Sequence, residues 1–355
     1  MSIQSATKSY EAWMRRCTTV IEADLRAKHQ EMKKDPYYFL RGSFYWWIQI
    51  WLEICPELSR APRVLASGDL HVGSFGTWRD SEGRLCWGVD DFDEASPLPY
   101  TNDLVRLATS VKLVRDAGTL TVKLKDACEA ILEGYAECLK GGGHPLVLAE
   151  HEQNLERLGI EAFEPPQDFW EKLQKLPSAG KLPSGLRGVI EKSLPPKARY
   201  KVVRRTAGIG SRGQQRFVAI ADWQGGCIAR ETKAMVPSSC QWQTGATGKG
   251  QSYYEQIISG AVRSRDPFQK IVGTWLIRRL SPDSNPIDID QLPKKRDEDL
   301  LIRSMGCEVA NVHLGSKNQI KNVLKDLKGR KSGWLRAAAR EMATAVEREW
   351  KDYIG

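Results

Sequence analysis

The stretch SGDLHVGSFGTWRDSEGRLCWGVDDFDEA, residues 67–95, decides the fold. It collects acidic residues, a histidine and several glycines between two apolar runs, at 63–67 and 84–90, which predict short β-strands. Asp91 follows 22 residues after Asp69, behind the second of these strands. A hairpin would bring both loop carboxylates to one place. The stretch is therefore either a polar site built beside a strand or a solvated acidic turn at a strand end.

The spacing within this stretch is typical of kinases and small-molecule phosphotransferases. In that layout a loop aspartate, here Asp69, receives the proton of the attacking hydroxyl, and a polar residue five positions later, here Ser74, binds Mg²⁺. A second aspartate behind a hairpin, here Asp91, joins Mg²⁺ to the nucleotide phosphates, with Asp93 as a further candidate ligand. His71 is either a catalytic residue that contacts phosphate or a hydrogen-bonding residue that braces the loop.

A glycine-rich turn lies far downstream, in TAGIGSRGQQRFVAI at 206–220. Gly208, Gly210 and Gly213 form a G-x-G-x-x-G pattern, with Ser211 inside it. Glycines in such a turn let backbone N–H groups approach phosphates. The flanking runs alternate apolar and polar residues, so the turn is predicted between two strands, as in kinases, and we assign it to nucleotide binding.

A lysine on the next predicted strand, Lys233 in CIARETKAMV, is expected to pair with the α- and β-phosphates of ATP. Glu255, in the helix that follows, is a candidate partner for this lysine. An ordinary kinase has its glycine loop and lysine upstream of the catalytic loop, whereas here both lie downstream. A circular permutation explains this order.

We therefore predict an α+β, protein kinase-like two-lobe fold that is circularly permuted, with the helical catalytic lobe first and the β-rich nucleotide lobe after it. Residues 1–145 form the helical lobe that carries the acidic loop 67–95, and a proline-rich connector with short helices, 146–199, follows it. The nucleotide lobe covers 200–285, and C-terminal helices in 286–355 pack on the catalytic lobe.

Apolar spacing of three and four residues predicts the individual helices, and alternation predicts the strands. The predicted helices cover 8–35, 42–55, 102–118, 122–142 and about 251–265, with helical sequence again from about 296. A β-meander is predicted over 200–236 and a further strand over 273–281. His313 falls in a helical stripe and is interpreted as a satisfied core residue.

The composition restricts the partners. The net charge of +9 attracts anions, including nucleotides and nucleic acid, but no recognised nucleic-acid motif is present, so a basic nucleic-acid-binding protein is only the third hypothesis. The longest apolar run, 44–54, is too short to span a bilayer, and the N-terminus has no apolar signal core, which predicts a cytoplasmic protein without a membrane partner. The eight cysteines form no C-x-x-C pair, so free thiols are expected and a zinc site is not.

Several motifs carry a resemblance to known families. GDLHVGSFG resembles the HGDLHPGN loop of aminoglycoside and choline kinase-like enzymes, and GVDDFDEA resembles their GVIDFDDA segment. With DPYYFLRGSFYWW, NDLVRLATSV and EVANVHLG, the order of motifs resembles the bacterial domain-of-unknown-function family 2252 from about residue 28 to about residue 316. The resemblance implies that Asp91 is at the metal position and that Asp103 braces the catalytic loop.

The sequence departs from the family pattern at the loop itself. Ser74 stands where the family has Asn, and Asn102 stands where it has Trp. A serine keeps a hydroxyl but is shorter, which predicts a weak or water-mediated second contact to Mg²⁺. The expected function is an ATP- and Mg²⁺-dependent phosphotransferase that acts on an unidentified small-molecule or protein acceptor. The alternatives are a catalytically weak nucleotide-binding pseudokinase and a nucleotidyl transferase on the same fold.

The arginines near these motifs have two interpretations. They either contact phosphate or an acidic substrate, or form ion pairs with the acidic loop. The residues concerned are Arg41, Arg106, Arg278 and Arg279.

Overall fold

The computed structural model describes residues 2–151, 163–245, 252–284 and 298–355. The chain begins with five helices: α1 (Ile3–Cys17), α2 (Glu22–Met32), α3 (Pro36–Gly42), α4 (Phe44–Ile54) and α5 (Pro56–Ser59). The single helix predicted over 8–35 is wrong. The chain leaves the helical path between Cys17 and Glu22, because Val20 forms a β-bridge with Gln214 and the N–H group of Ile21 donates to the carbonyl of Gly213.

The start of α3 follows from its sequence. The Asp35 side chain accepts hydrogen bonds from the N–H groups of Tyr37 and Tyr38, at 2.8 and 2.9 Å, and Pro36 occupies the first helical position. Such a cap satisfies N–H groups that have no partner within the helix. The aromatic helix predicted over 42–55 is confirmed as α4, which is buried along most of its length.

Two small antiparallel sheets of two strands each carry the acidic loop, and the second of them is a hairpin. Strand β1 (Arg63–Ala66) pairs with β4 (Ser96–Pro99), and β2 (Phe75–Arg79) pairs with β3 (Leu85–Val89). Both strands predicted beside the loop are thereby confirmed. In this hairpin Phe75 lies opposite Val89, so the residues just before β2 and just after β3 emerge at the same end.

Helices α6 (Thr101–Asp116), α7 (Leu124–Gly141) and α8 (Leu148–His151) follow, and the helices predicted over 102–118 and 122–142 are confirmed. Almost every residue of α6 is buried, because α6 lies at the centre of the largest hydrophobic core. The C-terminal helices α13 (Glu298–His313), α14 (Ile320–Gly329) and α15 (Trp334–Ile354) complete this core, with α13 packed on α7 and α15 packed on α6.

A five-stranded antiparallel sheet forms the second structural layer, with strand order β5-β6-β7-β9-β8. Its strands are β5 (Arg199–Arg204), β6 (Arg216–Trp223), β7 (Gly226–Ala234), β8 (Lys270–Val272) and β9 (Trp275–Leu280). Helices α11 (Ser239–Gln243) and α12 (Tyr254–Gly260) lie between β7 and β8 in the chain, and the predicted helix at about 251–265 is shorter than expected. The meander and the strand at 273–281 are confirmed.

The predicted connector covers both faces of this sheet. Helix α9 (Pro166–Gln174) packs against Val218 and Ile220 of β6, whereas α10 (Leu186–Glu191) packs against Phe217 and Ala219. Since successive side chains of a strand point to opposite faces, the two helices bury opposite sides of one strand. The α+β fold class is confirmed. None of the described helices is long and apolar enough to cross a membrane.

Candidate functional site

A cavity of about 170 Å³ lies between the acidic loop and the glycine-rich loop. The structure brings most of the predicted site residues to its walls, although these residues come from distant parts of the chain. The predicted residues that line it are Asp69, His71, Ser74, Asp91, Asp93, Gly208, Gly210 and Ser211.

The acidic loop is braced from below by Asp103, a fully buried residue at the start of α6. Its carboxylate accepts hydrogen bonds from the N–H groups of Ser67 and Gly68, at 2.8 and 3.1 Å. It also contacts Nε2 of His313 at 3.2 Å, and Nδ1 of His313 contacts the Tyr135 hydroxyl at 2.9 Å. The bracing role of Asp103 and the core position of His313 are confirmed.

Asp69 forms an ion pair with Arg106. Oδ1 of Asp69 accepts hydrogen bonds from two nitrogens of the Arg106 guanidinium, with the Nε contact at 3.0 Å. Arg106 is fully buried and lies over the rings of Phe44 and Trp47, at 5.0 and 4.8 Å from their centres. Burial raises the pKa of Asp69 above its usual value, although Arg106 opposes this shift. The ion-pair interpretation of Arg106 is thus confirmed.

His71 and Ser74 hold the loop in shape. Nδ1 of His71 accepts the N–H group of Gly73 at 3.1 Å, and burial lowers the pKa of His71 well below its usual range, so the ring is neutral. The Ser74 hydroxyl accepts the N–H group of His71 at 3.1 Å and donates to the Asp69 carbonyl at 3.3 Å. His71 therefore braces the loop, and Ser74 keeps one lone pair for any further ligand.

Lys233 reaches the acidic loop from strand β7. Its Nζ lies 2.6 Å from both carboxylate oxygens of Asp93 and 3.6 Å from Oδ1 of Asp91. Burial, together with the charge of Asp91, raises the pKa of Asp93 to about 6. Partial desolvation within the cavity disfavours the charged form of Asp91, but Lys233 and Arg278 outweigh it and lower the Asp91 pKa. The Asp91 side chain is about half exposed, at 48%.

Glu255 does not meet Lys233, contrary to the expectation from the sequence. Its Oε1 accepts the N–H group of Ile271 at 2.9 Å, which fixes α12 to strand β8. Strand β9 separates β8 from the strand that carries Lys233. The carboxylate that pairs with Lys233 is Asp93 and not Glu255. Gly213 also lies outside the cavity lining, packed against Leu25.

The glycine loop makes its closest approach at Gly210. A Cβ atom there would lie 3.3 Å from Oδ2 of Asp69, a tight contact, and 3.5 Å from the Arg41 carbonyl, so any larger residue would press on the Asp69 carboxylate. The ammonium group of Lys28 donates to the Gly210 carbonyl at 3.0 Å, and burial lowers the Lys28 pKa. The Lys28 bond thus anchors the glycine loop to α2, with Gly210 beside Asp69 of the acidic loop.

A group of arginines lines the opposite wall around Glu231, a residue that the sequence reasoning missed. Its carboxylate accepts hydrogen bonds from Arg205, from Arg216 at 2.7 Å and from Arg278 at 2.7 Å. Burial would raise the pKa of Glu231, but the three arginines lower it well below its usual range. A second guanidinium contact from Arg278 reaches Asp90 at 4.0 Å, and burial raises the Asp90 pKa to about 6. The available signal was the presence of charged residues within the strands themselves, Arg230 and Glu231 in β7 and Arg278 and Arg279 in β9.

One family model matches part of the chain. Residues 4–165 match the family described as an uncharacterized protein conserved in bacteria (DUF2252). The match contains the acidic loop together with Asp103 and Arg106, and it supports the family that the motifs predicted. The glycine loop and Lys233 lie outside the matched residues. No curated protein and no solved structure matches the chain.

The family match therefore covers one wall of the cavity. The residues that define the acidic wall belong to the matched part, whereas the glycine loop, Glu231 and its arginines follow it in sequence. The motif resemblance reached farther along the chain than the family model does, and the structure supplies the contacts that join the two parts, such as the bond between Lys233 and Asp93.

Proposed function

We propose that this cavity binds ATP and Mg²⁺ and transfers a phosphoryl group to a hydroxyl or amine acceptor, on a kinase-like fold that is circularly permuted. One observation carries the proposal. A glycine loop between two adjacent antiparallel strands lies over a loop of aspartates, and the lysine of the following strand bonds to one of them. Kinases use these three parts to hold nucleotide and metal.

Both acidic and basic side chains line the cavity. The acidic wall consists of Asp69, Asp90, Asp91, Asp93 and Glu94. The basic residues are Lys28, Arg41, Arg205, Arg216 and Arg278. A triphosphate with a bound cation carries both signs of charge, so its phosphates suit the arginines and its metal suits the carboxylates.

The acidic wall fits Mg²⁺ by its donor set. Mg²⁺ prefers one or two carboxylate oxygens and keeps several waters, and Asp91 is ionised and half exposed. Asp93 is the second carboxylate, and a hydrogen bond from Lys233 fixes its position. When bound, the metal ion neutralises charge on the phosphates. Lys233 lies behind the cavity lining, bonded to Asp93 and 3.6 Å from Asp91, so it must release Asp93 to bind a phosphate oxygen.

Asp69 is suited to orient the acceptor and take its proton. The ion pair with Arg106 fixes Oδ1, and Oδ2 faces the glycine loop near Gly210. A carboxylate with a raised pKa is a better proton acceptor than a fully solvated one, because its basicity lies nearer to neutral pH. Positioning and charge neutralisation then supply the rest of the rate enhancement.

A nucleotide-binding module with little turnover is the second candidate. It is favoured by Ser74, whose hydroxyl already serves the loop backbone at Asp69 and His71. Replacing Ser74 with Asn tests this second candidate. If phosphoryl transfer appears or rises in Ser74→Asn, the remaining site residues can catalyse the reaction and Ser74 limits the natural protein. ATP labelled on the α- or the γ-phosphate distinguishes a nucleotidyl transferase from a phosphotransferase.

The first experiment measures thermal stability with and without Mg²⁺–ATP. At 100 times the dissociation constant, binding adds roughly 2.7 kcal/mol to the stability of the wild type. We expect this gain to disappear in Lys233→Ala and Asp91→Ala, and to survive in Lys270→Ala and Asp222→Ala, whose side chains lie on the same sheet away from the cavity. A nucleotide-dependent gain that persists in both site variants would refute the proposed position.

A further inference from the structure

Helices α7 and α13 approach each other very closely. A Cβ atom on Gly134 would lie 2.0 Å from the Arg303 carbonyl, and one on Gly306 would lie 2.2 Å from the Ile131 carbonyl, so both positions require glycine. Cys138 lies one turn beyond Gly134, and Cys307 directly follows Gly306. This close contact places the two thiols, both almost fully buried, beside each other at the seam of the helices.

A histidine is brought to the same seam by the end of α7. The chain reverses after this helix, where the N–H group of Gly143 donates to the Cys138 carbonyl at 2.9 Å. The fully buried Asn311 side chain then clamps the backbone of His144: Oδ1 accepts its N–H group at 3.1 Å, and Nδ2 donates to its carbonyl at 2.9 Å. The thiol of Cys138 donates to the same Oδ1 at 3.3 Å. One buried amide therefore positions both residues.

We propose that Cys138, His144 and Cys307 form a binding site for a divalent cation of borderline softness, of which Zn²⁺ is the representative. One ligand atom from each residue lies within 4.8 Å of the other two. A tetrahedral zinc ion with bonds of about 2.0 to 2.3 Å needs its ligands about 3.5 to 3.8 Å apart, so modest side-chain rotations close the site. This set contains the sulfur and nitrogen donors that zinc prefers.

The charge and the space around the three ligands suit such an ion. Two thiolates balance the charge of Zn²⁺, and a neutral imidazole adds none, so the bound site is electrically neutral where both thiols are buried. A cavity of about 280 Å³ borders all three residues and leaves room for a water as the fourth ligand. Binding releases the thiol protons to solvent, including the proton that Cys138 shares with Asn311.

The spacing of these three residues along the chain does not predict the site, because they form no paired-cysteine motif. Its place in the fold suggests a structural role. Tyr135 and His313, which support Asp103 beneath the acidic loop, lie on the same two helices as the thiols. A cation that joins Cys138 to Cys307 would therefore fix these helices relative to each other.

Co²⁺ is the probe for the test, since thiolate ligands give it a characteristic near-ultraviolet charge-transfer band. The full chain is treated with a chelator, kept reduced with a phosphine and titrated with Co²⁺. We expect one equivalent to bind with the thiolate band and with the visible absorption of a tetrahedral ion, and Zn²⁺ to displace it. Cys138→Ser and Cys307→Ser should abolish the band, whereas Cys17→Ser, a thiol outside the site, should leave it unchanged.

His144→Ala tests the site if a serine variant of a buried thiol fails to fold. His144 is exposed, so its replacement should leave the fold intact. Loss of a direct ligand should weaken Co²⁺ binding by more than the roughly 10- to 100-fold that loss of an outer hydrogen bond costs. Binding without a thiolate band would overturn the proposal. So would equal affinity in wild type and His144→Ala.

Discussion

Replacement of Asp103 by Ala should weaken the fold and the acidic loop together. The Asp103 carboxylate is fully buried and takes part in four hydrogen bonds, to Ser67, Gly68, Asn102 and His313. A buried donor left without a partner costs about 1–3 kcal/mol, and such losses do not add fully when the groups are neighbours. We therefore expect Asp103→Ala to lower the free energy of unfolding by about 3–5 kcal/mol.

Asp103→Asn should cost about half as much, about 2 kcal/mol, because the amide keeps one acceptor oxygen and turns its NH₂ group toward the remaining donors. Urea denaturation at constant m-value gives both free energies. Asp126→Ala is the matched control, an exposed aspartate in the first turn of α7 whose loss should cost less than about 1 kcal/mol. If Asp103→Ala costs no more than this control, the carboxylate does not brace the loop as argued.

Three further predictions concern the cavity. Asp69→Asn should abolish turnover but keep ATP binding, measured by calorimetry, because the amide oxygen can still accept from Arg106; loss of binding would contradict the role given to Asp69. Glu231→Gln should lower stability in urea by about 2–4 kcal/mol, since the buried Arg216 and the partly buried Arg205 and Arg278 lose their common counter-charge, and a neutral result would show that solvent already screens them. Burial raises the pKa of Glu94 to about 7, so the folded state binds a proton more tightly than the unfolded state. Stability should then fall as pH rises from about 4.5 to about 7, by at most about 1.4 kcal/mol per pH unit from this group, and Glu94→Gln should flatten that slope; an unchanged slope would remove Glu94 as its cause.

The sequence predicted the acidic wall well because local rules determine it. The strands beside the acidic loop are short apolar runs, and the spacing from Asp69 to Asp91 requires only one hairpin. The sequence assigned the glycine loop to nucleotide binding by its pattern alone. Its approach to Asp69 through Gly210 rests on tertiary packing, which the pattern did not predict.

The partners of the charged residues could not be predicted in the same way. Glu231 collects its arginines from three different strands or strand ends, and the pairing depends on sheet order, which local alternation does not reveal. Glu255 was expected at Lys233 by analogy with kinases, but α12 lies beside β8 and its carboxylate is used there. The break between α1 and α2 likewise depends on contacts to residues near Gly213, almost two hundred positions away.

The anchoring of the glycine loop also bears on how fast a ligand enters and leaves. The loop is tied to the N-terminal helices at two points, through Gly210 to Lys28 and through Gly213 to Ile21. It is therefore not a flap that swings by itself. If the loop opens to admit the proposed nucleotide, it either moves together with α2 or breaks the Lys28 bond first. Motion of an N-terminal helix would then limit how fast the nucleotide leaves, a gating step distinct from the chemistry.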